Sequence, residues 1–230
     1  MGPLDEDSLA ADRGLDRMMA FGLYIHVPFC PQICPYCAFA SVAGRGESHV
    51  PYAAALCREI ESWQHLTEPM DTVFFGGGTP SQVDPALIGK ILAAARFHLG
   101  LAAAAEISIE VNPGTVDQEK FAALKALGCN RLSIGAQAFD DADLRLLGRA
   151  HSAEDIERAF AAARAADFTN ISLDLIADMP GVSAAHWRHS IERAVDLAPE
   201  HLSVYSLTIE EGTAFAARQR QGRLDLVSDD

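Results

Sequence analysis

Three cysteines within eight residues carry the most specific chemistry in this sequence. Cys30, Cys34 and Cys37 lie in the run Tyr24-Ile25-His26-Val27-Pro28-Phe29-Cys30-Pro31-Gln32-Ile33-Cys34-Pro35-Tyr36-Cys37. Intervals of three and two residues let the thiols converge on one centre, and Pro28, Pro31 and Pro35 restrict the backbone that must wrap it. Structural zinc takes four protein ligands, so a zinc site would need a further donor such as His26 or His49. An iron–sulfur cluster is held by thiolates, and three of them leave one iron open to an exogenous ligand. Cys57 and Cys129 stand apart from the motif and read as small buried hydrophobes. An odd total of five, clustered rather than spread, is not the pattern of a secreted disulfide framework. Residues 1–20 carry Asp5, Glu6, Asp7, Asp12 and Asp16 and no apolar run, so they read as a disordered acidic leader rather than a signal peptide. Together these features predict a reducing, cytoplasmic setting.

A second group of residues could hold a small ligand beside that centre. Gly76-Gly77-Gly78-Thr79-Pro80-Ser81 offers close backbone approach, without the Lys-Ser/Thr pair of a P-loop. Glu110, Gln137 and Asp174 provide carboxylates and an amide for hydroxyls or an ammonium, and Arg149 provides a guanidinium for a carboxylate. The eight histidines (His26, His49, His65, His98, His151, His186, His189 and His201) include possible ligands of an iron centre, but each one taken singly reads first as a surface or structural residue.

Hydrophobic periodicity supplies the elements that would position these groups. Strand-like runs at 21–27, 72–75, 107–111, 131–135, 171–176 and 202–209 alternate with helix-like ones. The helices fall at 51–66, with Leu56, Ile60 and Trp63 on one face, and after Asp84-Pro85. The next is expected behind a capping box of Thr115 and Gln118, and stops at Gly128. Others follow at 141–147, 153–166, 183–197, with Trp187, Ile191 and Val195 inward, and 213–220. Six strands each followed by a helix imply a parallel α/β sheet with right-handed crossovers, either open and doubly wound or a partial barrel. In both, ligands gather at the carboxyl ends of the strands. Residues 21–230 read as one domain.

The whole chain has 230 residues and a formal charge of −14. That balance argues against a phosphate-tracking nucleic-acid binder, and no apolar stretch reaches the roughly 20 residues that span a bilayer.

The spacing of Cys30, Cys34 and Cys37 resembles the cluster motif of the radical S-adenosylmethionine (SAM) superfamily. The resemblance implies a partial (β/α)6 TIM-like barrel, a [4Fe–4S] cluster on the three cysteines, and SAM chelating the open iron. Stretches 24–37, 75–81, 108–114, 131–139, 146–151, 172–181 and 199–212 are similar, in order and spacing, to the branch that holds oxygen-independent coproporphyrinogen dehydrogenase and the HemW-type heme chaperones. Carried over residue by residue, that branch places Tyr24, Tyr36, Gly77, Gly78, Thr79, Glu110, Gln137, Arg149 and Asp174 around SAM, with Thr208 near the adenine. The dehydrogenase converts propionate side chains to vinyl groups by radical decarboxylation, whereas the chaperone holds heme and passes it to an acceptor protein. Phe39, where the dehydrogenase has a further cysteine, is the chaperone-like choice. The resemblance therefore implies heme or porphyrin as ligand, an acceptor protein as partner, and a flavodoxin or ferredoxin as electron donor if radical chemistry occurs. Ala38 and the Asp178-Met179-Pro180-Gly181 turn depart from the chaperone pattern, and the C-terminal domain of that family, with its His-Asn-x-x-Tyr-Trp motif, is absent from the sequence.

Overall fold

The structure is a computed structural model that describes residues 21–224; the expected leader at 1–20 lies outside the described residues. Six strands, β1 (Gly22–Val27), β4 (Met70–Gly77), β5 (Leu101–Val111), β6 (Arg131–Gln137), β7 (Ile171–Ala177) and β8 (His201–Ser206), form one sheet in the order β1-β4-β5-β6-β7-β8. Every neighbouring pair is parallel. The order runs in one direction along the chain, without the reversal that a doubly wound sheet requires. Right-handed crossovers then place all the helices on one face, and the twisted sheet curls into a partial barrel with β1 and β8 at its edges. A two-stranded ribbon, β2 (Phe29–Cys30) with β3 (Val42–Ala43), brackets the cysteine loop.

The pleat sorts each strand into two faces. Val73 and Phe75, Ile107, Ile109 and Val111, Leu132 and Ile134, and Ile171, Leu173 and Leu175 are all buried against the helices. The alternate residues, Glu110, Ser133 and Asp174 among them, face the barrel interior.

Helices α1 (His49–Ser62), α2 (Pro85–His98), α3 (Gln118–Ala126), α4 (Asp141–Leu146), α5 (Ala153–Ala165), α6 (Ala184–Asp196) and α7 (Ala214–Arg220) follow the expected runs. Most begin on a side-chain cap. Asp84 accepts from the Ala86 N–H ahead of α2, Ser183 from His186 ahead of α6, and Ser152 with Asp155 forms a reciprocal capping box on α5.

Two expectations are corrected. The cap of α3 is Asp117, which accepts from the Lys120 N–H. Thr115 instead lies in a 3-10 turn, and its hydroxyl donates to the Asn112 carbonyl. On α6 the inward face carries Ser190 and Ala194, while Val195 is 54% exposed. The Ser190 hydroxyl accepts from the Phe139 N–H at 3.0 Å, and that contact sets the rotation of the helix.

The cysteine loop is fastened from two sides. The Phe215 N–H at the start of α7 donates to the Pro35 carbonyl at 2.9 Å, and the Phe215 ring, fully buried, packs near Tyr36. Gln32 donates through Nε2 to the Gly148 carbonyl at 2.6 Å. Gly148 lies at φ +66°, and a Cβ there would fall 2.5 Å from Pro35, so only glycine lets the two loops close.

Candidate functional site

The carboxyl ends of the strands open into a cleft of about 510 Å³. Its walls include Cys30, Cys34, Cys37, Tyr36, Gly77, Gly78, Thr79, Glu110, Gln137, Arg149, Asp174 and Thr208. Of the residues that the resemblance placed around the cluster and SAM, Tyr24 alone lies outside that lining. Its ring stacks on Phe74, and its hydroxyl sits 3.4 Å from His26 Nδ1. Burial and the nearby Glu110 charge both raise its pKa.

The three thiols are free and half-buried on one side of the cleft. Thr79 Oγ1 donates to Cys30 Sγ at 3.5 Å, and Arg149 Nη1 lies 3.8 Å from Cys34 Sγ. Burial pushes the Cys37 thiol up, as it does the Tyr36 hydroxyl beside the thiols. Among the described residues, no three His, Cys, Asp or Glu side chains converge on a point that one metal ion would fill. Thiolates on a multi-iron cluster need not, since each takes its own iron. His26 Nε2 is engaged by the Ala40 carbonyl at 2.8 Å, and the His49 ring packs on Phe29 with its buried Nε2 unpartnered.

Beside the thiols, the glycine loop lies directly on the turn that follows β1. A Cβ on Gly78 would fall 2.7 Å from the Pro28 carbonyl, and Gly77 adopts φ +119°. The Gly77 N–H donates to Glu110 Oε2 at 3.0 Å. Burial raises the Glu110 pKa, that backbone hydrogen bond opposes the rise, and the Asp174 charge adds to it. Asp174 is raised chiefly by burial, although Ser133 Oγ reaches its two oxygens at 3.0 and 2.9 Å. Arg149 donates through Nη2 to the Gly135 carbonyl at 3.1 Å, and its buried Nε has no partner. The cleft thus combines two desolvated carboxylates with a guanidinium that has a donor to spare.

Sequence reasoning gave no site role to Ser133 or Asn112 and did not single out His151. Ser133 carries no signal beyond its place in a strand. Asn112-Pro113-Gly114 reads as an ordinary turn, and His151 was one of eight equivalent candidates. His151 is 4% exposed, and burial with the neighbouring Arg149 charge lowers its pKa to about 4.

The radical SAM superfamily profile matches residues 24–194. The chain belongs to the radical SAM superfamily. Among radical SAM proteins it is 43% identical over 213 residues to heme chaperone HemW of Synechocystis, covering 90% of this chain and 52% of that one. With HemW of Escherichia coli it shares 38% identity over 205 residues, covering 88% and 54%. The solved structure of coproporphyrinogen III oxidase (HemN) from Escherichia coli superposes with a TM-score of 0.82 at 31% identity, over 91% of this chain and 49% of that one. The chain spans about half the length of the curated relatives it matches. No helix among the described residues is long and apolar enough to cross a membrane.

The radical SAM family implies a [4Fe–4S] cluster and SAM, and the residues present fit both. Three free thiols share one wall, the Gly77-Gly78 cradle is a surface that a Cβ would fill, and the Arg149 Nε is a buried donor without a partner.

The raised Glu110 pKa has a measurable consequence. A carboxyl whose folded pKa lies above its unfolded value of 4.5 makes the protein lose stability as pH rises from there through the raised value. Glu110→Gln keeps an acceptor for the Gly77 N–H and removes the buried charge. At pH 7 the ligand-free variant should therefore melt higher, by about 2–4 °C per kcal/mol of desolvation relieved. The gain should vanish at pH 4. Calorimetric scans at the two pH values check this, and a lower melting temperature at pH 7 would contradict it.

Proposed function

We propose that this chain is the cluster- and SAM-binding half of a HemW-like heme chaperone of the cytoplasm. The observation that carries the reading is the single cleft in which the three cysteines, the glycine cradle, the carboxylates and Arg149 face one another. Cys30, Cys34 and Cys37 would hold the cluster. Arg149 would take the carboxylate of SAM, with Tyr36, Gly77, Gly78 and Thr79 around its amino end. Glu110, Gln137 and Asp174 would take the ribose hydroxyls or the ammonium, and Thr208 would lie by the adenine. When bound, the cluster supplies an electron-transfer centre with an open iron. The protein's part is to orient SAM on it and exclude water.

The chaperone reading rests on Phe39, which stands 74% exposed at the rim of the cleft. With Ile33 and Tyr205, both also exposed and lining the cleft, it gives the mouth an apolar edge suited to a flat porphyrin. The acceptor protein would approach this face, as would a flavodoxin or ferredoxin donor. The alternative, coproporphyrinogen dehydrogenase activity, is favoured by the fold likeness to HemN.

An anaerobic hemin titration of the cluster-loaded chain, followed at the Soret band against an unrelated acidic protein, tests the choice. Saturable one-to-one binding is expected. No binding would overturn the chaperone role for this chain. Catalytic divinyl product from coproporphyrinogen, SAM and reductant would establish the alternative.

A further inference from the structure

We propose that His151 is a positioning residue: it clamps the turn that presents Gln137 to the cleft. This rests on the reading of the cleft as a SAM site. Gln137 has φ +71°, and the Ala138 N–H donates back to the Ala136 carbonyl at 2.9 Å. That is a γ-turn of the rarer hand, strained for any residue with a side chain. The β6–β7 ladder shifts register between Ile134 and Gln137, which pairs with Leu175, so Gly135 and Ala136 lie in the irregular stretch of the strand. The turn nevertheless brings Gln137 into the cleft lining.

Residues 149–151 take both carbonyls that lead into this turn. Arg149 Nη2 donates to the Gly135 carbonyl, and His151 Nε2 lies 3.3 Å from the Ala136 carbonyl. A carbonyl oxygen only accepts, so the tautomer that makes this contact carries its proton on Nε2. Nδ1 is then an acceptor 3.1 Å from Asn112 Oδ1, which already accepts from the Gly114 N–H, so the neutral ring hydrogen-bonds the Ala136 carbonyl and only abuts Asn112. The Asn112 N–H in turn donates to Ser81 Oγ at 3.0 Å, in the loop that follows the glycines. The buried ring therefore sits between the loops that follow β5 and β6 and is hydrogen-bonded to the second. His151 itself does not line the cleft. Its effect on a ligand passes through Gln137, and through Arg149, whose buried Nε has no partner.

Two readouts test this. The first is residue-resolved hydrogen exchange on the cluster-free protein. In His151→Phe, which fills the volume without a donor, the Ala138 amide should exchange at least tenfold faster, with the Leu132 amide of the same strand unchanged. The second is SAM affinity by anaerobic calorimetry after cluster reconstitution. His151→Phe should bind at least tenfold more weakly at full iron content. His151→Gln, whose amide reaches the same carbonyl, should recover most of both effects. Unchanged Ala138 exchange, or wild-type SAM affinity in His151→Phe, would overturn the proposal. So would equal losses in both variants with Leu132 also deprotected, since His151 would then be an ordinary core residue. Absence of SAM binding by the unsubstituted protein would instead overturn the reading of the cleft, and Ala138 exchange would still decide whether His151 clamps the turn.

Discussion

Alanine at any one of positions 30, 34 or 37 leaves the protein without its cluster. Anaerobic reconstitution of the unsubstituted chain should give about four iron and four sulfide per molecule, the content of a [4Fe–4S] centre. Each single variant should give a small fraction of that. The argument is geometric. The β2–β3 ribbon and the Phe215–Pro35 and Gln32–Gly148 contacts hold the loop in one shape, so a lost thiolate has no neighbour to replace it. Thr79 already donates to Cys30 and is no thiolate. Cys57 lies on α1, its thiol directed at the Lys90 carbonyl, and Cys129 is buried with its pKa pushed up to about 12. Cys57→Ala and Cys129→Ala should accordingly keep the full cluster. A complete cluster in Cys30→Ala, Cys34→Ala or Cys37→Ala would sink the assignment.

Arg149→Ala should weaken SAM binding about ten- to 150-fold, the equivalent of a charge-assisted contact worth about 1.5–3 kcal/mol. The guanidinium is held by the Gly135 carbonyl and lies near Cys34, yet its Nε is buried without an acceptor. A ligand carboxylate would satisfy that donor, and alanine cannot. Lysine should restore little, because a single ammonium cannot reproduce the planar fork of donors. Iron content should stay at the wild-type level, which separates this loss from that of the cluster. Unchanged affinity by calorimetry would remove Arg149 from the site.

Much of this was legible in the sequence because it depends on short-range order. The thiol spacing, the Gly76-Gly77-Gly78 run and the strand–helix alternation are local patterns, and parallel pairing brings the strand ends together without further information. What escaped depends on contacts between distant segments. The extension of β5 back over Ala102 to Ala105 rests on pairing Leu101 with Met70, which overrides the helical preference of alanine. The rotation of α6 is set by Ser190 meeting Phe139, and the cap of α3 shifted to Asp117 once Thr115 was drawn to Asn112. Strand order likewise decided between an open doubly wound sheet and a partial barrel, which periodicity alone left equal. In the cleft, residue types pointed to Gln137 and Arg149. The strained turn beneath Gln137 and the ring of His151 behind it have no sequence signature.

The central claim is that one cleft holds the cluster and SAM in contact. Electron paramagnetic resonance of the reduced, reconstituted chain tests it most directly. One equivalent of SAM should convert the cluster signal to a species with different g values, and Arg149→Ala should require more SAM for the same change. A reducible cluster whose spectrum is indifferent to saturating SAM would contradict the account.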